Sequence, residues 1–357
     1  MLVGLAAGFA FSARNLSRHA VAAAPASTLK RTNKPLFRTA PKEIRGVHVT
    51  MSLANLPGKY REYVALASSG LNTIELDVKD EDGRIAFASS SVPLATKVGA
   101  AGPYYKPGLV AREAHARGLY LIGRVVTFED PILAEARPAL ALHNADGSVW
   151  HTSGGLGWLN PYDKRVWDYN VSIAEAAAHA GFDEIQFDYV RFPSDGDVSL
   201  IRYPVRVHES KAKTIARFVQ YAAERLHPLG VRVSVDVFGL AATRDLGIGQ
   251  RPSRLARYVD AVYPMVYPSH FNSGEYGLDD PNANPGQTVT DALLYFEAQM
   301  RDSKARLVPW LQDFSLGRTY TYEDVAAQID AARSLGVTGF MLWNPLGVYT
   351  AEALSRP

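Results

Sequence analysis

The chain has 357 residues, with 38 Lys and Arg against 36 Asp and Glu, 47% hydrophobic and 21% charged. That mix belongs to a globular chain rather than a disordered one, and the length suits one large α/β domain or two ordinary ones. Cysteine is absent, which excludes disulfides, thiolate-held metals, iron–sulfur clusters and a thiol nucleophile.

The near-neutral total hides an asymmetry. The first 45 residues carry eight basic side chains and one acid, Glu43, for a net +7, which leaves −5 on the remaining 312. A mildly acidic body is a poor electrostatic partner for nucleic acid, so no nucleic-acid partner is expected. Residues 1–13 (MLVGLAAGFAFSA) are apolar but too short for an ordinary membrane span, and the Ala-rich stretch at 20–26 offers small-residue cleavage sites. Residues 1–26 therefore read as a signal peptide or N-terminal anchor, although no basic residue precedes the apolar run. Residues 27–42, with Pro35 and Pro41 and no periodicity, read as a linker. The expectation is an exported, monomeric protein, periplasmic, cell-surface or secreted, with membrane attachment only through that N-terminal segment.

From residue 43 to 357, apolar strand-like runs alternate with helical patterns. The runs are Ile44–Thr50, Leu71–Val78, Leu119–Thr127, Phe182–Tyr189, Val231–Phe238, Val259–Tyr267, Ala305–Gln312 and Val337–Asn344. Between them lie amphipathic stretches such as Lys59–Ser69, Tyr169–Ala180, Lys211–Leu226 and Tyr322–Leu335. Glycine follows several of these segments (Gly70, Gly118, Gly181, Gly230, Gly336), where a helix ends before the next strand. Eight strand–helix units predict an α/β fold, a closed (β/α)8 TIM barrel, with long βα loops after strands 2 and 3 (about 79–105 and 128–168). An open doubly wound sheet would show a Gly-rich loop after its first strand, and HVTMSLANLPG is not one.

Strands of a parallel barrel are buried on both faces and should be nearly all apolar, so polar residues in them are informative. Glu75, Asp77 and Lys79 share one parity, Gln186 and Asp188 another set, Ser234 and Asp236 a third. Period-2 alternation sends each set into the lumen, with its last member at the C-terminal mouth. His48 and Arg124 are further lumen candidates. Asp188 and Asp236 close adjacent strands at one height, an arrangement suited to paired-carboxylate glycoside hydrolysis. There the carboxyls stand ~5–5.5 Å apart for retention or ~6.5–9.5 Å for inversion. Like-charge proximity would raise one pKa and leave a proton donor beside an ionised base or nucleophile.

Tyr263 and Tyr267 end the sixth run, Trp310 lies in the seventh and Trp343 in the eighth. Trp150, Trp158 and Trp167 lie in or beside the long third loop. Flat rings at a barrel mouth can stack on pyranose faces, while Gln312, Asn344 and Asn160 can bind hydroxyls. No HxH, HExxH or GxSxG pattern appears. A divalent cation held by Glu75, Asp77 and Asp188 stays open as a minor alternative, but no metal and no organic cofactor is expected.

The segments EIRGVHVT, GLNTIELDVKDEDGRI, GLYLIGRVVTFEDP, FDEIQFDYVRFPSDG, VSVDVFGL, VYPMVYPSHF and GFMLWNP resemble a bacterial TIM-barrel family of glycoside hydrolases, distantly amylase-like. The likeness runs from about Glu43 to about Thr350. It implies an exported or cell-surface carbohydrate-active enzyme, with Asp188 and Asp236 where related glycosidases carry catalytic carboxylates. Many amylase-type barrels place Glu on the fifth strand where this chain has Asp236, so Asp77, Glu75 or the loop holding Asp195 and Asp197 are alternative acids. The expected function is cleavage of a polysaccharide or cell-envelope glycan. Asp188 would act as nucleophile or base and Asp236 as acid. Glu75, Asp77, Lys79, Arg124, Trp158, Asn160, Arg191, Tyr263, Tyr267, Trp310, Gln312, Trp343 and Asn344 would bind substrate or tune the pair. The alternatives are a non-catalytic carbohydrate-binding barrel and a metal-dependent polysaccharide deacetylase.

Overall fold

The computed structural model describes residues 37–356 apart from Thr338. The leader read at 1–26 and the first part of the linker lie outside the described residues. Residues 37–42 are held against the barrel: the Arg38 backbone N–H donates to Asp183 at 2.6 Å, and Arg306 donates to the carbonyls of Pro41 and Lys42.

Eight parallel staves close into a barrel. They are β1 (Ile44–Val49), β2 (Thr73–Lys79), β3 (Tyr120–Val126), β4 (Glu184–Asp188), β5 (Arg232–Phe238), β6 (Ala261–Met265), a split seventh stave made of β7 (Arg306–Leu307) and β8 (Trp310–Gln312), and β9 (Gly339–Trp343). Each pairs with its sequence neighbours, and β1 pairs with β9 to close the ring. The seventh stave breaks at Pro309, which has no N–H to give a ladder. The expected helices are present at Lys59–Ala65, Lys211–Leu226 and Tyr322–Ser334. The one before β4 begins earlier than its apolar pattern suggested, at Lys164, because the Asp163 carboxylate caps it. Gly181 and Gly230 follow helical turns with φ of 106° and 88°, a backbone that side chains avoid.

Alternation sorts the strand residues. Val47, Val49, Ile74, Leu76, Val233 and Val235 pack outward against the helices, while Ile44, Tyr120, Ile122, Tyr263 and Met341 fill the lower lumen. Glycine at 123 is steric: a Cβ there would sit 2.8 Å from the Phe182 ring and 3.0 Å from Val78. At the barrel floor Glu184 accepts hydrogen bonds from Tyr120 (2.8 Å) and Tyr263 (3.0 Å).

The expected long connections after β2 and β3 are there, and each contains a short helix, Pro93–Lys97 and Pro131–Ala136. Two further long connections, 189–210 after β4 and 266–284 after β6, were not singled out by the sequence. Among the described residues no helix is long and apolar enough to cross a membrane.

Candidate active site

The site is built on strand ends. Gln186 on β4 lies in register with Ser234 on β5, so the next inward residues, Asp188 and Asp236, stand at one height on adjacent staves. Asp188 is the last residue of β4. Its Oδ2 accepts from Arg124 Nε (3.0 Å) and Nη2 (2.7 Å), and its Oδ1 accepts from the Tyr189 backbone N–H at 2.6 Å. Tyr189 has φ of 48°, a left-handed conformation that costs roughly 1–2 kcal/mol and turns the chain sharply just past the carboxylate. The guanidinium thus holds one carboxylate oxygen at two points while a backbone N–H holds the other.

Asp236 is different in kind. It is only 2% exposed, and its Oδ1 accepts from both Gln186 Nε2 (2.5 Å) and Trp310 Nε1 (2.6 Å). Burial first, then the neighbouring charges of Asp188 and Glu75, push its pKa well above the carboxylate range. With Oδ1 taken by two N–H donors, a retained proton belongs on Oδ2. One carboxyl thus sits against a cation, and its neighbour is set to hold a proton.

A charged belt continues around the mouth. Arg124 Nη1 donates to Asp77 Oδ1 at 2.8 Å, so one guanidinium joins β2 to β4. His48 on β1 bonds Glu75 at 2.5 Å and stands 3.6 Å from Asp77. Burial alone would push the imidazole pKa down, but Asp77 and Glu75 outweigh it and raise it. The His48 ring also packs 4.9 Å from the Trp343 ring. Among the described residues no group of three or more His, Asp or Glu forms a metal cluster, and the Arg124 guanidinium bridges Asp77 and Asp188.

A cavity of about 520 Å³ opens at the ends of β4, β5 and β6. Asp188 and Arg191 line it, with Tyr189, Phe238, Tyr267 and Phe271 among the rings and Leu240, Leu246 and Ile248 on an aliphatic wall. Ligands in parallel α/β folds bind outside the carboxyl ends of the strands. The long loops after β2 and β3 drew attention in the sequence, yet the cavity belongs to the connections after β4, β5 and β6.

The predicted site residues divide. Glu75, Asp77, Arg124, Asp188, Asp236 and Trp310 form one bonded or adjacent network, and Arg191 and Tyr267 join Asp188 at the cavity. Lys79 is a correction. A register shift between Asp77 and Lys79 turns it out of the lumen, and it lies fully buried with Nζ 2.8 Å from Asp130 and 3.0 Å from Asn170 Oδ1. Period-2 reasoning fails there because a bulge inserts one residue and reverses the face. Tyr263 lies deep in the lumen on Glu184 rather than at the mouth. Asn160 organises the third loop by donating to the Val205 carbonyl at 2.7 Å, and Trp158, fully buried, backs the Arg191 guanidinium. Gln312 donates to the Phe314 carbonyl and accepts from the Ser269 N–H, and Asn344 accepts from the Leu346 N–H; both are engaged in loop geometry. Trp150 and Trp167 are core residues at 2% and 4% exposure.

The sequence reading passed over Glu129. It lies just past β3, is 5% exposed, and burial, opposed by Arg191, pushes its pKa up to about 7. No periodicity marks it, since it sits beyond the strand; the only signal is an acidic pair, Glu129 and Asp130, just before Pro131. Asp195 and Asp197 are exposed, and Asp197 caps the turn at Ser199.

A family model described as "Putative glycosyl hydrolase domain" matches residues 46–349. The glycoside hydrolase domain of PgaB (BpsB) from Bordetella bronchiseptica superposes with a TM-score of 0.63 at 14% identity, covering 88% of this chain and 98% of that one. The GH20 exo β-N-acetylglucosaminidase of Vibrio harveyi gives 0.55 at 14% identity, covering 88% and 54%. The α-galactosidase of Thermus thermophilus gives 0.54 at 12% identity, covering 90% and 63%. At these identities the likeness is one of fold. No curated protein matches the chain.

Proposed function

Because the chain belongs to that glycosyl hydrolase family, we propose that it hydrolyses glycosidic bonds of a polysaccharide or cell-envelope glycan, outside the cytoplasm, with Asp188 and Asp236 as its working carboxyls. The observation that carries this reading is the contrast between them. Asp188 faces the cavity and is held by Arg124, while Asp236 is buried beside it with its pKa raised. Glycoside hydrolysis needs such a division, one carboxylate to attack the anomeric carbon or activate water and one carboxylic acid to protonate the leaving oxygen.

Arg124 grips the Asp188 carboxyl by two hydrogen bonds to one oxygen, and the strained Tyr189 backbone fixes its direction. Positive charge developing on the sugar ring would be met by the carboxylate in a cavity whose aliphatic wall keeps the local dielectric low. Asp236 would deliver its proton from Oδ2, while Gln186 and Trp310 stabilise the carboxylate left behind. The test is a glycan panel assayed for new reducing ends, with wild type beside Asp188→Asn. The variant is expected to lose about 10³-fold or more in kcat. Unaltered turnover in the variant would remove Asp188 from the chemistry.

A further inference from the structure

Arg191 is 7% exposed and lines the cavity that contains Asp188. Its guanidinium carbon lies 4.9 Å from the Trp158 ring centre, 4.8 Å from Tyr189 and 4.8 Å from Phe238. Nη1 donates to the Phe192 carbonyl (3.2 Å) and to Ser194 Oγ (3.1 Å). Among the described residues no carboxylate forms an ion pair with it, and Nε and Nη2 make no hydrogen bond. Arg124, by contrast, is also buried but is saturated by Asp77 and Asp188.

A buried guanidinium without a counter-ion is costly, and burial lowers its pKa. Three rings and two hydrogen bonds lock the fork in one plane, so little side-chain entropy remains to be lost when an anion arrives. The acids nearest it do not fill the role. Asp188 is committed to Arg124, Glu129 keeps its proton up to about pH 7, and Asp195 is exposed on the following loop. The wall of Leu240, Leu246 and Ile248 offers no hydroxyl partners, but it excludes water and strengthens any charge pair formed beside it.

We propose that Arg191 is an anion-recognition residue of this cavity, and that the glycan cleaved carries an oxyanion, a uronic-acid carboxylate or a sulfate ester, on the sugar seated beside Asp188. This rests on the glycosidase reading above and narrows its substrate class.

The experiment uses matched polymers: polygalacturonate and alginate with their carboxyl-reduced forms, and a sulfated galactan with its desulfated form. Wild type should cleave at least one anionic polymer with kcat/KM about tenfold or more above its neutralised partner, the difference lying in KM. The pair that shows it identifies carboxylate or sulfate. Arg191→Gln should erase the preference and Arg191→Lys should keep part of it. A readout that needs no variant is salt: raising NaCl from about 0.05 M to about 0.5 M should raise KM for the anionic member only. Equal rates on both members of every pair, or a preference that survives Arg191→Gln, would overturn the proposal. Asp188-dependent cleavage confined to neutral glycans also overturns it while leaving the glycosidase reading intact. Failure of wild type to cleave any glycan brings down both.

Discussion

At the scale of single residues, environment rather than identity separates the carboxyls. Asp188 and Asp236 share a side chain and a height in the barrel, yet one meets a guanidinium and the other meets an indole and an amide. Asp236→Asn is accordingly expected to lower kcat by about 10²–10⁴-fold. It should also remove the alkaline limb of the kcat/KM profile, which in wild type lies above the ordinary carboxylate range because Asp236 keeps its proton. Glu129 supplies a separate pH prediction, of stability. Folded Glu129 holds its proton up to about pH 7, whereas the reference value is 4.5. Its contribution is therefore fully present below pH 4.5 and is lost as pH rises through 7. Glu129→Gln should melt with wild type at pH 4 and several degrees higher at pH 8. Parallel melting curves at both pH values would remove the assigned shift.

At the scale of elements, the bulge in β2 decides the fate of Lys79. The sequence presents Glu75, Asp77 and Lys79 as one stripe, but a bulge leaves no mark on period-2 spacing, and the third member leaves the lumen to pair with Asp130. Lys79→Met would strand a buried carboxylate and should cost about 3–5 kcal/mol, read from denaturant unfolding. Gly123→Ala tests the packing on the outer face of β3. The added methyl meets Phe182 and Val78 and should cost about 1–3 kcal/mol. A loss in activity without a loss in stability would contradict both assignments. Loops show the same division. The two longest gaps between strand patterns were visible, but the connections after β4 and β6, whose Tyr189 and Phe271 wall the cavity, carry no such gap in the pattern.

For the whole molecule, closure is the controlling fact. β1 pairs with β9 in register from Ile44 with Gly339 to Val47 with Leu342, and only closure makes residues from β1, β2, β4, β5 and the seventh stave neighbours over one lumen. The described residues from 37 onward include every stave.

Alternation of eight strand and helix patterns, glycines after helices and paired parity on β4 and β5 are local properties, carried by neighbours a few residues apart, and so the barrel and its two inward aspartates were legible in the amino-acid order. What lay beyond it depends on contacts across tens to hundreds of residues. Asp236 meets Trp310 only when β5 and the seventh stave curve around one lumen, and Arg124 meets both Asp77 and Asp188 only when β2, β3 and β4 lie side by side. The outward turn of Lys79 follows from the bulge between β2 and β3, and the burial that raises Asp236 and Glu129 and the uncompensated guanidinium of Arg191 follow from tertiary packing, because desolvation and charge pairing are set by what surrounds a group in space.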